Sequence, residues 1–354
     1  MSVRQEENGT WTAQVWYHDY NGERRHKTKR GFETEEEALA WHDEYAVEAE
    51  GSVSSSLAAF VETYLEDIRP RIRESTYENK VYTIKSKILP YLGHMRMDEI
   101  EPVDIVRWQN RLMKATNSRG EQYSPTYLRT VNNQLTAIFN HASRLYGLKD
   151  SPCKKTQRMG SSEASEMQFW TKEEYLKFAD AISDKPFSYH AFEVLYWCGL
   201  REGEMLALTP NDLDFERSLL YVRKSYRRAH GQDIITDPKT PKSVRKVQMP
   251  TFLRDELEEY VKQLGIAPDE RIFTVTKHCL YHEMKRGSQL AGVKKIRVHD
   301  LRHSHVSLLI DLGFSAVAIA DRLGHESADI TFRYAHLFPD KQSAMADALD
   351  EMKR

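Results

Sequence analysis

The sequence predicts an α+β multidomain chain. It reads as a small N-terminal three-stranded sheet plus one helix, then a helical bundle, then a mixed, mainly α-helical domain with a small antiparallel sheet. Three observations predict this. The apolar period is two over residues 10–19 and becomes helical from Leu57. Polar stretches at 51–56 and 151–168 interrupt the pattern and look like linkers. At 354 residues and 40% apolar content the chain is too long for one ordinary domain and rich enough for separate cores.

In the first segment Trp11, Ala13, Val15 and Tyr17 share one face, and Thr12, Gln14, Trp16 and His18 the other. Asn21-Gly22 is a hairpin turn signal, Arg24 to Lys29 the return strand, and Phe32 begins either a short third piece of sheet or a turn. Thr34-Glu35-Glu36-Glu37 is a capping box for a helix running to about Glu48. In the second segment Leu57, Phe60, Val61, Tyr64, Leu65 and Ile68 form one stripe. Ser75-Thr76-Tyr77-Glu78 reads as a cap for a helix over Tyr77–Leu89, ended by Pro90 and Gly93. Pro102–Ala115 is a third helix. Ser124 with Pro125 opens a fourth, striped by Leu128, Val131, Leu135, Ile138, Phe139, Ala142 and Leu145 and ended by Gly147. Thr171-Lys172-Glu173-Glu174 opens the last domain, whose sheet region falls at about 213–250.

Net charge is −2, but charge is segregated: residues 23–30 and 217–246 are strongly basic, and 33–50 is acidic with no Arg or Lys. Such a field attracts nucleic acid locally even when the sum is near zero. Cys153, Cys198 and Cys279 form no CxxC pair, which argues against a zinc or disulfide framework and fits a reducing cytosol. There is no apolar run of membrane length, no signal peptide and no GxxxxGK[ST] loop, so membrane partners and an ATP-driven mechanism are not expected.

The chemistry concentrates in the C-terminal half. Arg201 lies in Gly199-Leu200-Arg201-Glu202-Gly203-Glu204, and Lys239 in a basic stretch between Pro238 and Pro241. His299 and Arg302 lie in His299-Asp300-Leu301-Arg302, His325 follows Leu323-Gly324, and Tyr334 comes nine residues later. Cutting a phosphodiester without a metal needs fixed cations for the charge that builds on the non-bridging oxygens. It also needs an acid for the leaving 5′-oxygen and a nucleophile on the protein. The spacing of three puts His299 and Arg302 on one helix face, and Glu204 at i+3 can hold Arg201. His303-Ser304-His305 offers two imidazoles but no third ligand, so no metal site is expected.

In this order and with these intervals, the residues resemble the tyrosine recombinases, specifically the integrases of temperate phages and conjugative transposons. The resemblance covers about 165–354 through the Gly-Leu-Arg segment (with Cys198 where the family has Thr), Lys-Thr-x-x-Ser-x-Arg at 239–245, His-Asp-Leu-Arg-His at 299–303 and Leu-Gly-His at 323–325. It implies an arm-type DNA-binding domain at 1–50, a helical core-binding domain at 57–150 and a catalytic domain at 165–354. It further implies that Arg201 and Arg302 clamp the scissile phosphate and that Lys239 protonates the 5′-oxygen. His299 would handle the tyrosyl proton or orient the phosphate, and His325 would bond a non-bridging oxygen. Tyr334 would form the 3′-phosphotyrosyl link, with Glu204 in support. The implied partners are double-stranded DNA with core-type and arm-type sites, a homotetramer on that DNA, an excisionase and a host DNA-bending protein. No cofactor is implied, and the setting is a bacterial cytoplasm. Trp16, Arg24, Arg25 and Lys27 in the first sheet, and Lys242 and Arg245 beside Lys239, are the expected DNA contacts. The tail 338–354 docks either on a neighbouring protomer or in cis. A monomeric type IB topoisomerase shares the chemistry but not the arm-like first domain.

Overall fold

The computed structural model describes residues 3–18, 24–49, 53, 55–161, 167–238 and 240–324. The chain divides into two units, residues 1–165 and 166–354.

The first unit opens with an antiparallel sheet in the order β1 (Val3–Gln5), β2 (Trp11–His18), β3 (Arg24–Phe32). The third strand therefore precedes the hairpin. Phe32 belongs to the end of β3, opposite Trp11, and three residues are too few for β1 to show a period in the sequence. The register shifts between Trp11 and Thr12, where Gly31 (φ +89°) is the extra residue of a bulge. The Asn21-Gly22 turn lies outside the described residues. Ala13 and Val15 are buried beneath α1 (Glu35–Ala49), as is Ala38 of that helix. Thr34 Oγ1 accepts from the Glu37 N–H (3.2 Å), and the Glu37 carboxylate accepts from the Glu33 N–H.

The bundle consists of α2 (Leu57–Ile68), α3 (Glu74–Lys87), the one-turn α4 (Leu89–Leu92), α5 (Pro102–Lys114) and α6 (Pro125–Leu145). Each expected stripe is in the core except Leu145, which is 56% exposed at the last turn of α6. The expected Ser75 cap is not used. Helix α3 begins at Glu74, with Arg73 as its N-cap, and ends at Lys87, whose carbonyl accepts from Trp108 Nε1 (2.8 Å). Pro90 then sits in the first turn of α4, where its missing N–H costs nothing.

The expected linker at 151–168 is also revised. Residues 152–161 pack back on the bundle. Gln109 Nε2 donates both to Asn132 Oδ1 (2.8 Å) and to the Gln157 carbonyl (2.9 Å), and Met159 is buried. A β carbon on Gly160 would lie 2.1 Å from the Pro125 carbonyl oxygen. Polar composition suggested a tether, but a buried amide pair can hold such a strap without apolar periodicity.

The second unit surrounds a core built from α7 (Lys172–Ala181), α8 (Pro186–Cys198), α10 (Thr251–Leu264), α11 (Lys277–Ala291) and α12 (Asp300–Asp311). The single turn α9 (Glu202–Met205) follows α8, and α13 (Ala316–Leu323) follows α12. Two small antiparallel sheets lie in the expected region. One has the order β4 (Leu213–Asp214), β5 (Leu219–Val222), β8 (Arg245–Gln248), and the other is the hairpin β6 (Ser225–Ala229) with β7 (Gln232–Thr236).

Candidate active site

Helices α8 and α13 end side by side. Both stop at a glycine in the left-handed region, Gly199 and Gly324, each with φ +64°. A β carbon on Gly199 would lie 2.5 Å from His305 Cδ2 and 2.8 Å from Leu323 Cδ2. One on Gly324 would lie 2.7 Å from the Lys242 carbonyl oxygen. The last carbonyls of a helix lack intrahelical donors, and arginines supply them here. Arg302 of α12 donates Nη1 to the Gly199 carbonyl and Nη2 to the Leu323 carbonyl, both at 2.7 Å. Arg322 donates Nη2 to the Trp197 carbonyl (3.2 Å), and Arg245 donates Nε to the Arg322 carbonyl (3.1 Å). Cations at helix C-termini are favoured by the dipole.

Arg201 is the N-cap of α9. Its N–H donates to Glu204 Oε2 (2.9 Å) and its Nη1 to Oε1 (2.7 Å), while Arg245 Nη2 reaches Oε2 at 3.0 Å. Glu204 is thus shared by two guanidiniums. Burial raises its carboxyl, but Arg245, and then Arg201, outweigh burial and hold it below the ordinary carboxylate range. Exposure separates the two arginines: the Arg245 side chain is 6% exposed and that of Arg201 is 37%.

His299 precedes α12, its ring edge-on to His303 at 5.4 Å. Burial and then Arg302 depress its imidazole, Asp300 opposes them, and Arg297 and Arg201 add to the depression. Such a depression favours the neutral ring, the form able to take a proton. Arg297 grips Asp300 at 2.7 Å and fixes the start of α12. The neighbouring histidines do other work. His305 is buried, accepts at Nε2 from Arg322 Nε (3.1 Å), and is pushed down to about 3 by burial and Arg322. His303 is pushed down to about 4, chiefly by burial. Between them Ser304 Oγ accepts from the Trp170 N–H (2.9 Å) and donates to the Asp300 carbonyl. Among the described residues no group of three His, Cys, Asp or Glu is placed to hold a metal ion. Cys198 is buried, its thiol pushed up to about 12 by burial, so it packs as a neutral group.

The structure therefore brings Arg201, Glu204, His299 and Arg302 to one place. Lys239, His325 and Tyr334 lie outside the described residues. Arg245, expected on the DNA-facing surface, is instead the enclosed partner of Glu204. Its place in a basic run did not reveal the carboxylate 41 positions earlier that takes it inward. Lys242 is exposed. On the first sheet Trp16 is 50% exposed with its ring 4.7 Å from His26, and Lys27 is exposed. Of Arg24 and Arg25 the backbone register is described, opposite His18 and Tyr17. Sequence reasoning overlooked the Arg322–His305 pair. The available signal was a basic residue in the last turn before Leu323-Gly324. No helix among the described residues is long and apolar enough to cross a membrane.

Comparison with known proteins places three matches along the chain. Residues 1–49 match the Arm DNA-binding domain, 56–113 the phage integrase N-terminal SAM-like domain, and 168–341 the Phage integrase family. The ICEBs1 integrase of Bacillus subtilis (strain 168) is 32% identical over 99% of this chain and 100% of its own length. Two solved structures share the fold. The Tn1549 transposon integrase in complex with transposon right end DNA has a TM-score of 0.67 at 20% identity, covering 82% of this chain and 97% of that one. A lambda integrase tetramer bound to a Holliday junction has a TM-score of 0.60 at 17% identity, covering 96% and 95%.

Proposed function

The chain belongs to the phage integrase family, the tyrosine recombinases, and we propose that it integrates and excises a mobile element or prophage through a 3′-phosphotyrosyl intermediate. It is a site-specific DNA recombinase. The observation that carries the mechanism is the fixing of Arg201 and Arg302 by buried partners beside His299, whose imidazole burial holds below its ordinary range. Two held guanidiniums suit a phosphate whose negative charge grows in the transition state, and they need no reorganisation when it does.

In this mechanism the Tyr334 phenolic oxygen attacks phosphorus and the bond to the 5′-oxygen breaks. The phenolic proton passes to the neutral His299 imidazole, and the Lys239 ammonium protonates the departing 5′-oxygen. His325 bonds a non-bridging oxygen. Conserved bond energy in the phosphotyrosyl ester allows the free 5′-hydroxyl of the partner strand to reverse the step, so neither ATP nor a metal ion is called for. Residues 1–50 would read arm-type sites and 57–150 core-type sites, with 165–354 catalytic. Holding two sites with one chain raises local concentration. The active assembly would be a tetramer on two duplexes, consistent with the lambda integrase tetramer bound to a Holliday junction, with an excisionase and a host DNA-bending protein setting direction.

The test is a duplex nicked just beyond the cleavage position, so that a short fragment diffuses away and the adduct accumulates. The wild-type chain should appear as a covalent protein–DNA band without added metal or ATP. Tyr334→Phe should give none, and an undiminished band from that variant would remove Tyr334 as the nucleophile.

A further inference from the structure

We propose that Arg271 is a positioning residue that holds the β6–β7 hairpin, and through it Lys239, in register with the reacting phosphate. This rests on the reading of Lys239 as the acid for the 5′-oxygen.

The hairpin forms its own two-stranded sheet, with no ladder to β4, β5 or β8. An isolated two-stranded ribbon is marginal in water, so its orientation must come from side chains. Tyr226 and Ile235 are cross-strand partners on one face, yet Tyr226 is 2% exposed and Ile235 47%, so only part of that face is covered. Arg271, in the connection between α10 and α11, meets the covered part. Its guanidinium lies 4.1 Å over the Tyr226 ring, and its Nη2 donates to Asp233 Oδ2 at 2.8 Å. The Tyr226 hydroxyl donates to the other Asp233 oxygen at 2.8 Å, closing a three-residue clamp. The body side of the same guanidinium is equally held. Arg271 Nη1 donates to the Leu206 carbonyl (3.2 Å), at the end of α9, and to the Phe273 carbonyl (3.0 Å). At the other end of α9, Gly203 lets the Tyr226 carbonyl approach to 2.9 Å of where a β carbon would be. One side chain therefore joins the turn that begins at Arg201 to the ribbon whose last residue, Thr236, precedes Lys239 by three positions. A planar fork can bond carbonyls and a carboxylate at once while stacking on a ring, which a lysine cannot do.

A positioning role through Lys239 makes a chemical prediction that a general structural role does not. Replacing the bridging 5′-oxygen by sulfur gives a leaving thiolate of low basicity, about 8.5 for an ordinary cysteine thiol, which departs without a proton. Single-turnover cleavage by the full chain is measured on oxygen and sulfur versions of the same nicked duplex. Loss of a general acid costs roughly 10²–10⁴-fold, so Lys239→Ala should be slowed by that order on oxygen and restored on sulfur. Arg271→Ala should be slowed by at least about tenfold on oxygen, within that range, and restored on sulfur, with duplex affinity unchanged. Adding it to Lys239→Ala should slow the oxygen reaction no further. Asp233→Asn, at a 44% exposed carboxylate whose loss leaves both carbonyl bonds in place, should show the same signature in smaller degree if Arg271→Ala fails to fold. Normal cleavage of the oxygen substrate by both variants overturns the proposal. So does equal slowing on both substrates, which would point to Arg201 or to the fold. If Lys239→Ala itself is not restored by sulfur, the assignment of Lys239 fails, and this inference falls with it.

Discussion

Replacing Glu204 by Gln leaves shape nearly unchanged and removes one charge from between two guanidiniums. The two ion pairs are not equal. Arg201 is 37% exposed, and water screens its loss to well under about 1 kcal/mol. Arg245 is 6% exposed, and its guanidinium would remain enclosed without a counter-charge. Stranding one member of a buried pair costs about 3–5 kcal/mol. For a unit of this size that lowers the melting temperature by roughly 6–20 °C. Urea denaturation of Glu204→Gln, Arg245→Gln and the double variant measures it. The double variant should be more stable than the sum of the single losses requires, because it strands no charge. Acid provides an independent arm. The folded Glu204 carboxyl titrates below its unfolded value of about 4.3, so its contribution is complete above that pH and is lost as pH falls through the folded value. Wild type should therefore lose more stability on acidification below about pH 4.3 than Glu204→Gln does. A single-variant loss under about 1 kcal/mol, or strict additivity, would refute the claim that Glu204 is held by Arg245.

The depressed His299 imidazole should keep strand cleavage active below the ordinary histidine value of about 6.5. A pH profile of single-turnover rate should place the acid limb below that value in wild type and lack the limb in His299→Gln; a limb at or above it counts against His299 as the proton acceptor. Gly199→Ala forces a β carbon toward His305 in a left-handed conformation, and should cost about 1–3 kcal/mol by denaturation. The logarithm of duplex affinity should fall linearly with log salt, with a slope of about 0.9 per phosphate contact, and a flat response would argue against broad backbone contact.

Much of this could be read in the sequence because the relevant rules are local. The stripes of α2 and α6, the Ser124 and Thr171 caps and the glycine ends of α6 and α13 follow from periods and end residues. Arg201, Glu204, His299 and Arg302 are legible as site residues through the resemblance of their ordered motifs, and the helix turn and i+3 cap that hold them are local. What escaped was decided at long range. Nothing in a basic run tells whether a guanidinium meets water or a carboxylate, so Arg245 was assigned to the surface. The strap at 152–161 is held by Gln109 and Asn132, polar residues whose hydrogen bonds leave no periodic trace. Leu145 follows the α6 stripe, but the next residue, Tyr146, takes the place against the core with its ring edge-on to Phe60, and Leu145 is left exposed.

The placement of carboxylates explains how the site keeps its charge. Arg201 and Arg245 share Glu204, which leaves one positive charge over from those three groups. Arg322 is also largely enclosed, yet its donors go to the Trp197 and Gln248 carbonyls and to His305, which burial keeps neutral. These are partners that satisfy geometry without cancelling charge. Arg302 also donates to helix-end carbonyls, those of Gly199 after α8 and Leu323 of α13. A fully ionic pairing would be less costly to bury, but it would erase the field a phosphate needs. Helix C-terminal carbonyls, carrying about half a negative charge per helix end, are the intermediate solution. They hold arginines in a fixed plane and offset part of the desolvation, while leaving positive potential to be completed by an incoming anion. A carboxylate in place of His305 would pair Arg322 more tightly and, by the same reasoning, weaken the site for phosphate.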